Sequence, residues 1–204
     1  MKINVFEGKN YEDVLTSALK ELNVEKSNTM LKKIEKKGGL FKGNIVEINI
    51  ILIDDIVGYI KKYLNTLITD MGLEVSFESK VHDGQINIKM YSNNNPILIG
   101  KNGQTLSALQ NIVRQVVHKE IGLYPYIILD VENYKEKQEK NLARLAKNIA
   151  REVEQTKIDA KLESMNAYER RIVHNALTNF KNVYTESEGE EPNRHIIIKP
   201  KKDI

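Results

Sequence analysis

The chain has 204 residues, of which 41% are hydrophobic and 29% charged, a balance typical of a folded globular protein rather than a disordered one. It contains no cysteine and only four histidines, which excludes disulfides and thiolate metal sites and argues against a zinc centre. The formal net charge is +3, split as +2 for residues 1–52, −2 for 53–132 and +3 for 133–204, an excess too small to indicate nucleic acid by itself.

Residues 1–53 are predicted to form a small βαββ unit. Alternating residues 2–6 indicate a strand, and Asn10 can cap the helix that follows. Two further strands are predicted at residues 30–35 and 45–52, joined by a basic, glycine-bearing loop, KKGGLFKGN.

Residues 54–132 are predicted to fold in the order α-β-β-α-α-β. A new helical periodicity begins at Asp54 and stops at Gly72, and Asp83-Gly84 is a strong signal for a hairpin between two strands. The remaining elements are a short helix at 95–99, a helix at 104–120 and a buried strand at 124–131, the second helix being buried by Leu106, Leu109, Ile112, Val113, Val116 and Val117.

Two glycines bracket the turn Ile99-Gly100-Lys101-Asn102-Gly103 between the last two helices. The backbone is therefore bare at both ends of the turn, the N–H groups that start the next helix carry partial positive charge, and Lys101 adds a full one. This combination suits a sugar-phosphate chain rather than a base edge. The alternative is that the two glycines have no role in binding: Gly100 ends one helix and Gly103 allows the next one to begin.

Residues 133–204 are predicted to be an α/β domain preceded by a long helix at 133–157. The first two turns of that helix are charged all round, which indicates a solvated linker, and a core stripe follows at Leu142, Leu145, Ala146, Ile149 and Val153. A strand at 161–165, a helix capped by Asn166 and two strands at 183–186 and 194–199 complete the segment. The predicted fold class is thus α+β, with three small domains.

Arg170 and His174 stand four residues apart on the helix that Asn166 caps, so about 40° separates them and they share one face. Extending the same helix places Lys181 on that face as well, which predicts a row of donors outside the core stripe without an intervening acid. The alternative is that such a row only solvates the helix.

The α-β-β-α-α-β order with I-G-K-N-G at residues 99–103 resembles the KH domain in its type II arrangement. The resemblance implies a loop that clamps the backbone of about four unpaired nucleotides. By position, Gly100, Lys101, Asn102 and Gly103 would hold phosphates. Ile97, Ile99 and Ile88 would be weaker contributors to the groove.

The stretch MNAYERRIVH at residues 165–174 closely resembles the single-strand-binding domain family named for its Arg-x-x-x-His motif, and EEPNRHIIIKP at 190–200 matches its closing strand. The resemblance implies that Arg170 and His174 contact phosphates or base faces. Arg171 would lie beside them, with Lys181 and Lys199 as secondary contacts.

The βαββ unit, the KH-like domain and the Arg-x-x-x-His domain, in this order, resemble the bacterial Jag family, also called KhpB or SpoIIIJ-associated proteins. The family implies a cytoplasmic regulator that binds single-stranded RNA and is linked to cell envelope growth and division, with single-stranded DNA as an open alternative. Its implied partners are a small single-KH protein or a second copy of itself, and a membrane-associated protein for the N-terminal unit. No membrane span, cofactor or metal is expected.

An enzyme is not expected, because the sequence shows no nucleophile with its base, no metal cluster and no Walker-type loop. Nuclease activity is the enzyme class left open. A protein-interaction scaffold whose KH-like surface has become a dimer interface is the alternative function.

Overall fold

A computed structural model describes residues 1–36 and 45–201 of the chain. The chain divides into two compact units, Met1–Glu132 and Asn133–Ile204. Across the described ranges, strands form two three-stranded sheets in the first unit and one in the second. The predicted glycine-bearing loop, apart from its first residue, Lys36, lies outside the described residues.

The first unit begins with the predicted βαββ order: β1 (Asn4–Gly8), α1 (Tyr11–Leu22), β2 (Thr29–Lys36) and β3 (Ile45–Leu52). The sheet is antiparallel with β3 in the middle. Asn10 caps α1, since its side-chain oxygen accepts a hydrogen bond from the Glu12 N–H at 3.1 Å.

The central strand β3 is buried on both faces. Ile48 and Ile50 belong to the core under α1, while Ile51, which points to the opposite face, is also fully buried. The next helix, α2 (Ile53–Asp70), starts at the residue after β3 ends. The predicted boundary at residue 53 therefore falls at a junction that has no linker.

The rest of the unit follows the predicted order, with α2, β4 (Val75–His82), β5 (Gln85–Ser92), α3 (Asn95–Ile99), α4 (Gln104–Ile121) and β6 (Tyr126–Val131). The sheet order is β4-β5-β6; β4 pairs antiparallel with β5, and β6 pairs parallel with it. A parallel pair needs a crossover connection, which α3 and α4 supply. The turn at residues 99–103 lies within that crossover.

Two residues differ in burial from what the sequence predicts. Ile112 sits at the edge of the α4 stripe and is 41% exposed, whereas Leu106, Leu109, Val113 and Val117 are buried as predicted. Ile88 is 1% exposed, because alternate residues of β5 face the core, so the predicted contribution of Ile88 to a binding groove is wrong.

The second unit consists of α5 (Tyr134–Thr156), β7 (Ala160–Ser164), α6 (Ala167–Leu177), β8 (Val183–Glu188) and β9 (His195–Pro200). The sheet is antiparallel in the order β7-β9-β8. Its core is contributed by both helices and all three strands: Ala146, Ala150, Val153, Leu162, Val173, Leu177, Val183, Ile196 and Ile198. Leu145, predicted in the stripe, is instead half exposed.

The start of α6 is a capping box, as the sequence predicts. Asn166 Oδ1 accepts from the Glu169 N–H at 3.0 Å, and Glu169 Oε2 accepts from the Asn166 N–H at 2.9 Å. The prediction that the first turns of α5 are solvated is wrong at Gln138, whose amide donates to Glu169 Oε1 at 2.6 Å. The beginning of α5 is thus tied to the start of α6.

Candidate nucleic-acid interface

The turn between α3 and α4 has a backbone that depends on glycine at its first position. Gly100 has φ 71° and ψ 178°, a region that is essentially confined to glycine. A Cβ atom there would lie 2.2 Å from Thr105 Oγ1 and 2.9 Å from the Thr105 backbone nitrogen. Thr105 fills the space where a side chain would stand, so this half-buried turn position requires glycine for packing as well as for its φ. The prediction of bare backbone at both ends of the turn is wrong at Gly103, which is buried.

Lys101 and Asn102 project from this turn and are exposed, while Gly103 is buried at φ 75°. Asn102 also has a positive φ, 51°, which asparagine tolerates better than most residues. The four predicted loop residues thus form one turn with two exposed polar side chains at its tip.

The N-terminus of α4 opens directly from this turn. Its N-cap is Gly103, no side chain caps it, and no acidic residue stands in its first turn. Since helix N-termini carry partial positive charge, an 18-residue helix that starts without an anionic cap is suited to an anion beside Lys101.

The apolar residues predicted beside the loop differ in exposure. Ile97 is 46% exposed on α3, and Ile99 is half-buried at its end. Of the three apolar candidates, Ile97 therefore offers the most surface.

Two residues that the sequence interpretation missed lie on α4 and close the edge of β6. Arg114 donates from Nη2 to the Ile127 carbonyl at 2.8 Å, and Gln110 Oε1 accepts from the Leu129 N–H at 3.0 Å. The signal was the spacing of two long polar residues by four on a helix. Their bonds occupy backbone groups with which an added strand could pair.

In the second unit, Arg170 is mostly buried and its donors are already engaged. The side chain is 11% exposed; Nη1 donates to the Met165 carbonyl at 2.7 Å and Nη2 lies 2.8 Å from Glu191 Oε1. The predicted row of donors is free of acids on the helix, but Glu191 supplies one from the segment between β8 and β9. Arg170 therefore joins that segment to the start of α6.

His174 is exposed, one helical turn beyond Arg170. Its Nδ1 lies 2.6 Å from Thr185 Oγ1 on β8. A depression of about 210 Å³ adjoins it, and Phe180, Tyr184 and Lys201 contribute to its lining. This places an imidazole, two aromatic rings and a cation around one concave surface.

The predicted secondary contacts are not grouped with His174 on one helix face. The prediction that Lys181 lies on α6 is wrong, because the helix ends at Leu177 and Lys181 stands exposed in the following turn. Lys199 Nζ lies 2.7 Å from Glu186 and 2.9 Å from Glu188, and these hydrogen bonds raise the pKa of Lys199 well above its usual range. Its charge is thus compensated.

Arg171 points toward a different surface from Arg170. It is exposed and lines a depression between α5 and α6, together with Tyr168. Burial is the main cause that raises the pKa of Tyr168, and Glu139, which accepts from its hydroxyl at 3.4 Å, adds to it. Tyr168 was not singled out from the sequence.

Within residues 1–36 and 45–201, no group of three or more His, Asp or Glu side chains is arranged to hold a metal ion. No helix in the same ranges is both long and apolar enough to cross a membrane.

Two known domain families match the parts of the chain that contain these candidate residues. The KH domain of KhpA/KhpB matches residues 58–127, and the R-3-H domain, named for its Arg-x-x-x-His motif, matches residues 140–200. The first range contains the turn at 99–103, and the second contains Arg170 and His174.

Relatives with similar sequences extend over nearly the whole chain. The "RNA-binding protein KhpB" of Clostridium symbiosum is 38% identical over 202 residues, 96% of this chain and 90% of the relative. The protein of the same name from Bacillus subtilis (strain 168) is 30% identical over 201 residues, 96% of this chain and 97% of the relative. The resemblance predicted from the two motifs is confirmed, and the chain belongs to the KhpB family, also called the Jag family.

Proposed function

We propose that this protein binds single-stranded RNA through its KH and Arg-x-x-x-His domains and is not an enzyme. The observation that carries the proposal is the Gly100–Gly103 turn at the uncapped N-terminus of α4. The names of the relatives, each an RNA-binding protein, agree with it.

At the KH turn, the RNA would be held by its backbone. A phosphate would approach the main chain of the turn and the open start of α4, and the exposed Lys101 ammonium would supply the opposite charge. Asn102 adds an amide at the exposed tip. Ile97 and Ile99 supply apolar surface against which an unstacked base can rest.

In the Arg-x-x-x-His domain, His174 would contact RNA directly, with Phe180 and Tyr184 available to stack on bases. Arg170 would have a different role while it is paired with Glu191: the ion pair would position the segment between β8 and β9. Direct contact of Arg170 with a phosphate would require Glu191 to give way. Arg171, Lys181 and Lys199 would add charge at the margins, Lys199 least because Glu186 and Glu188 compensate it.

The biological setting that the family implies is a cytoplasmic, post-transcriptional regulator linked to cell envelope growth and division. A small single-KH protein or a second copy of this chain would be its partner, and a membrane-associated protein would meet the N-terminal unit. Capture of RNA and protein partners from cells after crosslinking would test this setting.

The proposed RNA binding is tested most directly at the tip of the KH turn. In Lys101→Asp/Asn102→Asp, two carboxylates would replace an ammonium and an amide where phosphate is expected. Both positions are exposed, and aspartate tolerates the positive φ of residue 102, so the fold should be retained. Fluorescence anisotropy with labelled oligouridylate should show at least about a tenfold loss of affinity, given roughly 1.5–3 kcal/mol per charge-assisted bond.

The matched control is Lys62→Asp/Asn65→Asp, which makes the same two substitutions, with the same change in charge, at exposed positions of α2 in the same unit. It should bind RNA nearly as the wild type does. Equal binding by wild type and the turn variant would remove the KH turn from the interface. Failure of the wild type to bind single-stranded RNA would favour the protein-interaction scaffold, in which the KH surface pairs with a second copy.

A further inference from the structure

The second unit carries a row of basic side chains that its Arg-x-x-x-His motif does not include. Lys140, Arg144, Lys147 and Arg151 follow one another on α5 at intervals of four, three and four residues. At about 100° per residue these fall within roughly 60° of one another, along about 16 Å of the helix. All four are exposed.

The charges in this row are compensated unequally. Lys140 is paired with Glu136 at 2.6 Å, one turn earlier on the helix. The guanidinium groups of Arg144 and Arg151 instead donate to neutral amides, Asn141 at 3.3 Å and Asn148 at 3.1 Å. From residue 143 to residue 151, α5 contains no acidic residue.

Those two amides hold the guanidinium groups against the helix surface without neutralising them. An ordinary solvated helix face alternates in sign and forms ion pairs along its length. The segment 143–151 lacks that alternation. Its positive charge is therefore available to an external anion.

The row borders two adjoining depressions. One, of about 380 Å³, lies along α5 and is lined by Lys140, Arg144, Lys147 and Arg151. The other, of about 420 Å³, lies between α5 and α6 and has Lys147 on one wall and Arg171 on the other. Ala143 and Lys147 belong to both, so the two depressions adjoin, and together they are called the basic groove.

The groove has a floor of small side chains and an aromatic ring at one end. Ala143 and Ala176 line it between the helices, and their methyl groups leave the Lys147 and Arg171 heads accessible to a bulky anion. Tyr168, 58% exposed, presents a ring there, and its hydroxyl is directed to Glu139, an acidic residue that also lines the groove. Cations beside an exposed ring are the combination that binds single-stranded nucleic acid.

The groove is distinct from the surface around His174. On α6, Arg171 lies about 60° from His174, and Tyr168 about 120° from it. Elsewhere in the unit, Arg170 and Lys199 are paired with carboxylates. Among the described residues, the groove brings together four cations without a carboxylate partner, Arg144, Lys147, Arg151 and Arg171.

We propose that the groove between α5 and α6 is an additional binding site for the sugar-phosphate chain of single-stranded RNA, with Arg144, Lys147, Arg151 and Arg171 as its phosphate contacts and Tyr168 as a stacking surface. The inference rests on the proposed function, because it assigns a second path for the same RNA. It also assigns a role to the helix that precedes the Arg-x-x-x-His motif.

The test is the salt dependence of RNA binding by the full chain. Each phosphate neutralised on a single strand contributes about 0.7 to the slope of log affinity against log salt. Arg144→Gln/Lys147→Gln, which removes two exposed cations, should therefore reduce the magnitude of the slope by about 1.4. A long fluorescein-labelled oligouridylate is the probe, and unchanged thermal melting shows that the fold is intact.

The matched control is Lys157→Gln/Lys161→Gln, which removes two exposed cations of the same unit outside both depressions. Its slope should equal that of the wild type. A groove variant with the control's slope would overturn the inference, even though wild-type RNA binding would leave the proposed function standing. A parallel titration with polyglutamate tests an acidic protein segment as the ligand. If the groove variant lost polyglutamate binding but kept the wild-type salt slope with RNA, the groove would be assigned to such a segment and the inference would be overturned. Absence of wild-type RNA binding would overturn both.

Discussion

The nucleic-acid surfaces proposed for the two units are made in different ways. In the first, the proposed surface is largely main chain: the Gly100–Gly103 turn and the open start of α4, with one exposed lysine at the tip. In the second, it is made of side chains, and several of those that the motif highlights are already held by neighbours, as Arg170 is by Glu191. A main-chain surface depends on backbone conformation, whereas a side-chain surface depends on how much charge the protein itself compensates.

The largest expected effect comes from disturbing the backbone conformation of the KH turn. Gly100→Ala places a methyl group 2.2 Å from Thr105 Oγ1 at a φ of 71°, and a non-glycine residue in such a conformation costs roughly 1–3 kcal/mol. We expect loss of RNA binding together with a lower free energy of unfolding, measured by anisotropy and urea denaturation.

Gly58→Ala is the matched control for this change. Gly58 lies in α2 with nothing within 4 Å of an added Cβ, so alanine should stabilise the helix slightly and leave RNA binding unchanged. Full RNA affinity in Gly100→Ala would show that RNA binding does not depend on the backbone conformation of this turn.

An intermediate effect on RNA affinity is expected at the Arg170–Glu191 ion pair, where substitution of the two partners should change affinity in opposite directions. Arg170→Ala leaves the Met165 carbonyl without its donor and should destabilise the protein by about 1–3 kcal/mol while weakening RNA binding. Glu191→Gln keeps the shape of the partner but removes its charge. It should change stability by about 1 kcal/mol or less and strengthen RNA binding a few-fold, because Arg170 would then be uncompensated.

Thermal melting and anisotropy on both variants would check this pair of expectations. If Glu191→Gln weakened RNA binding instead, the ion pair itself would be part of the surface. The second unit would then resemble the first, in that fixed geometry rather than available charge determines binding.

The smallest effect is expected at Lys199. Its ammonium lies between Glu186 and Glu188, so Lys199→Gln should change RNA affinity by about twofold or less, as expected for a compensated surface charge. Glu186→Gln/Glu188→Gln should release that charge and raise the affinity more than Lys199→Gln lowers it. Titrations at one fixed salt concentration would compare the two, and a large loss in Lys199→Gln would contradict the contrast between available and compensated cations.

The sequence predicts best what neighbouring residues determine together. The order α-β-β-α-α-β, the short helix at 95–99 and the capping box at Asn166 all depend on local periodicity or on residues three apart.

Features that depend on distant contacts were missed. Nothing local places Glu191 against Arg170, or Gln138 against Glu169, since these pairs are separated by 21 and 31 positions. The sequence predicts that α6 extends to Lys181, because Thr178-Asn179-Phe180 contains no glycine or proline to end the helix and Phe180 continues the apolar spacing, whereas α6 ends at Leu177. The alternation of apolar and polar residues in β5 indicates a strand with two faces. The resemblance to the KH domain does not indicate that Ile88 lies on the inner face.

The burial of β3 on both faces has a practical consequence for dissecting this protein genetically. A deletion that ends at residue 52 would cut directly before the buried Ile53, within one compact unit, rather than remove a separable module. Loss of activity after such a deletion would report a damaged KH domain as readily as a missing N-terminal function. Substitutions at exposed positions of β1, such as Val5, are the cleaner way to ask what the first 52 residues contribute.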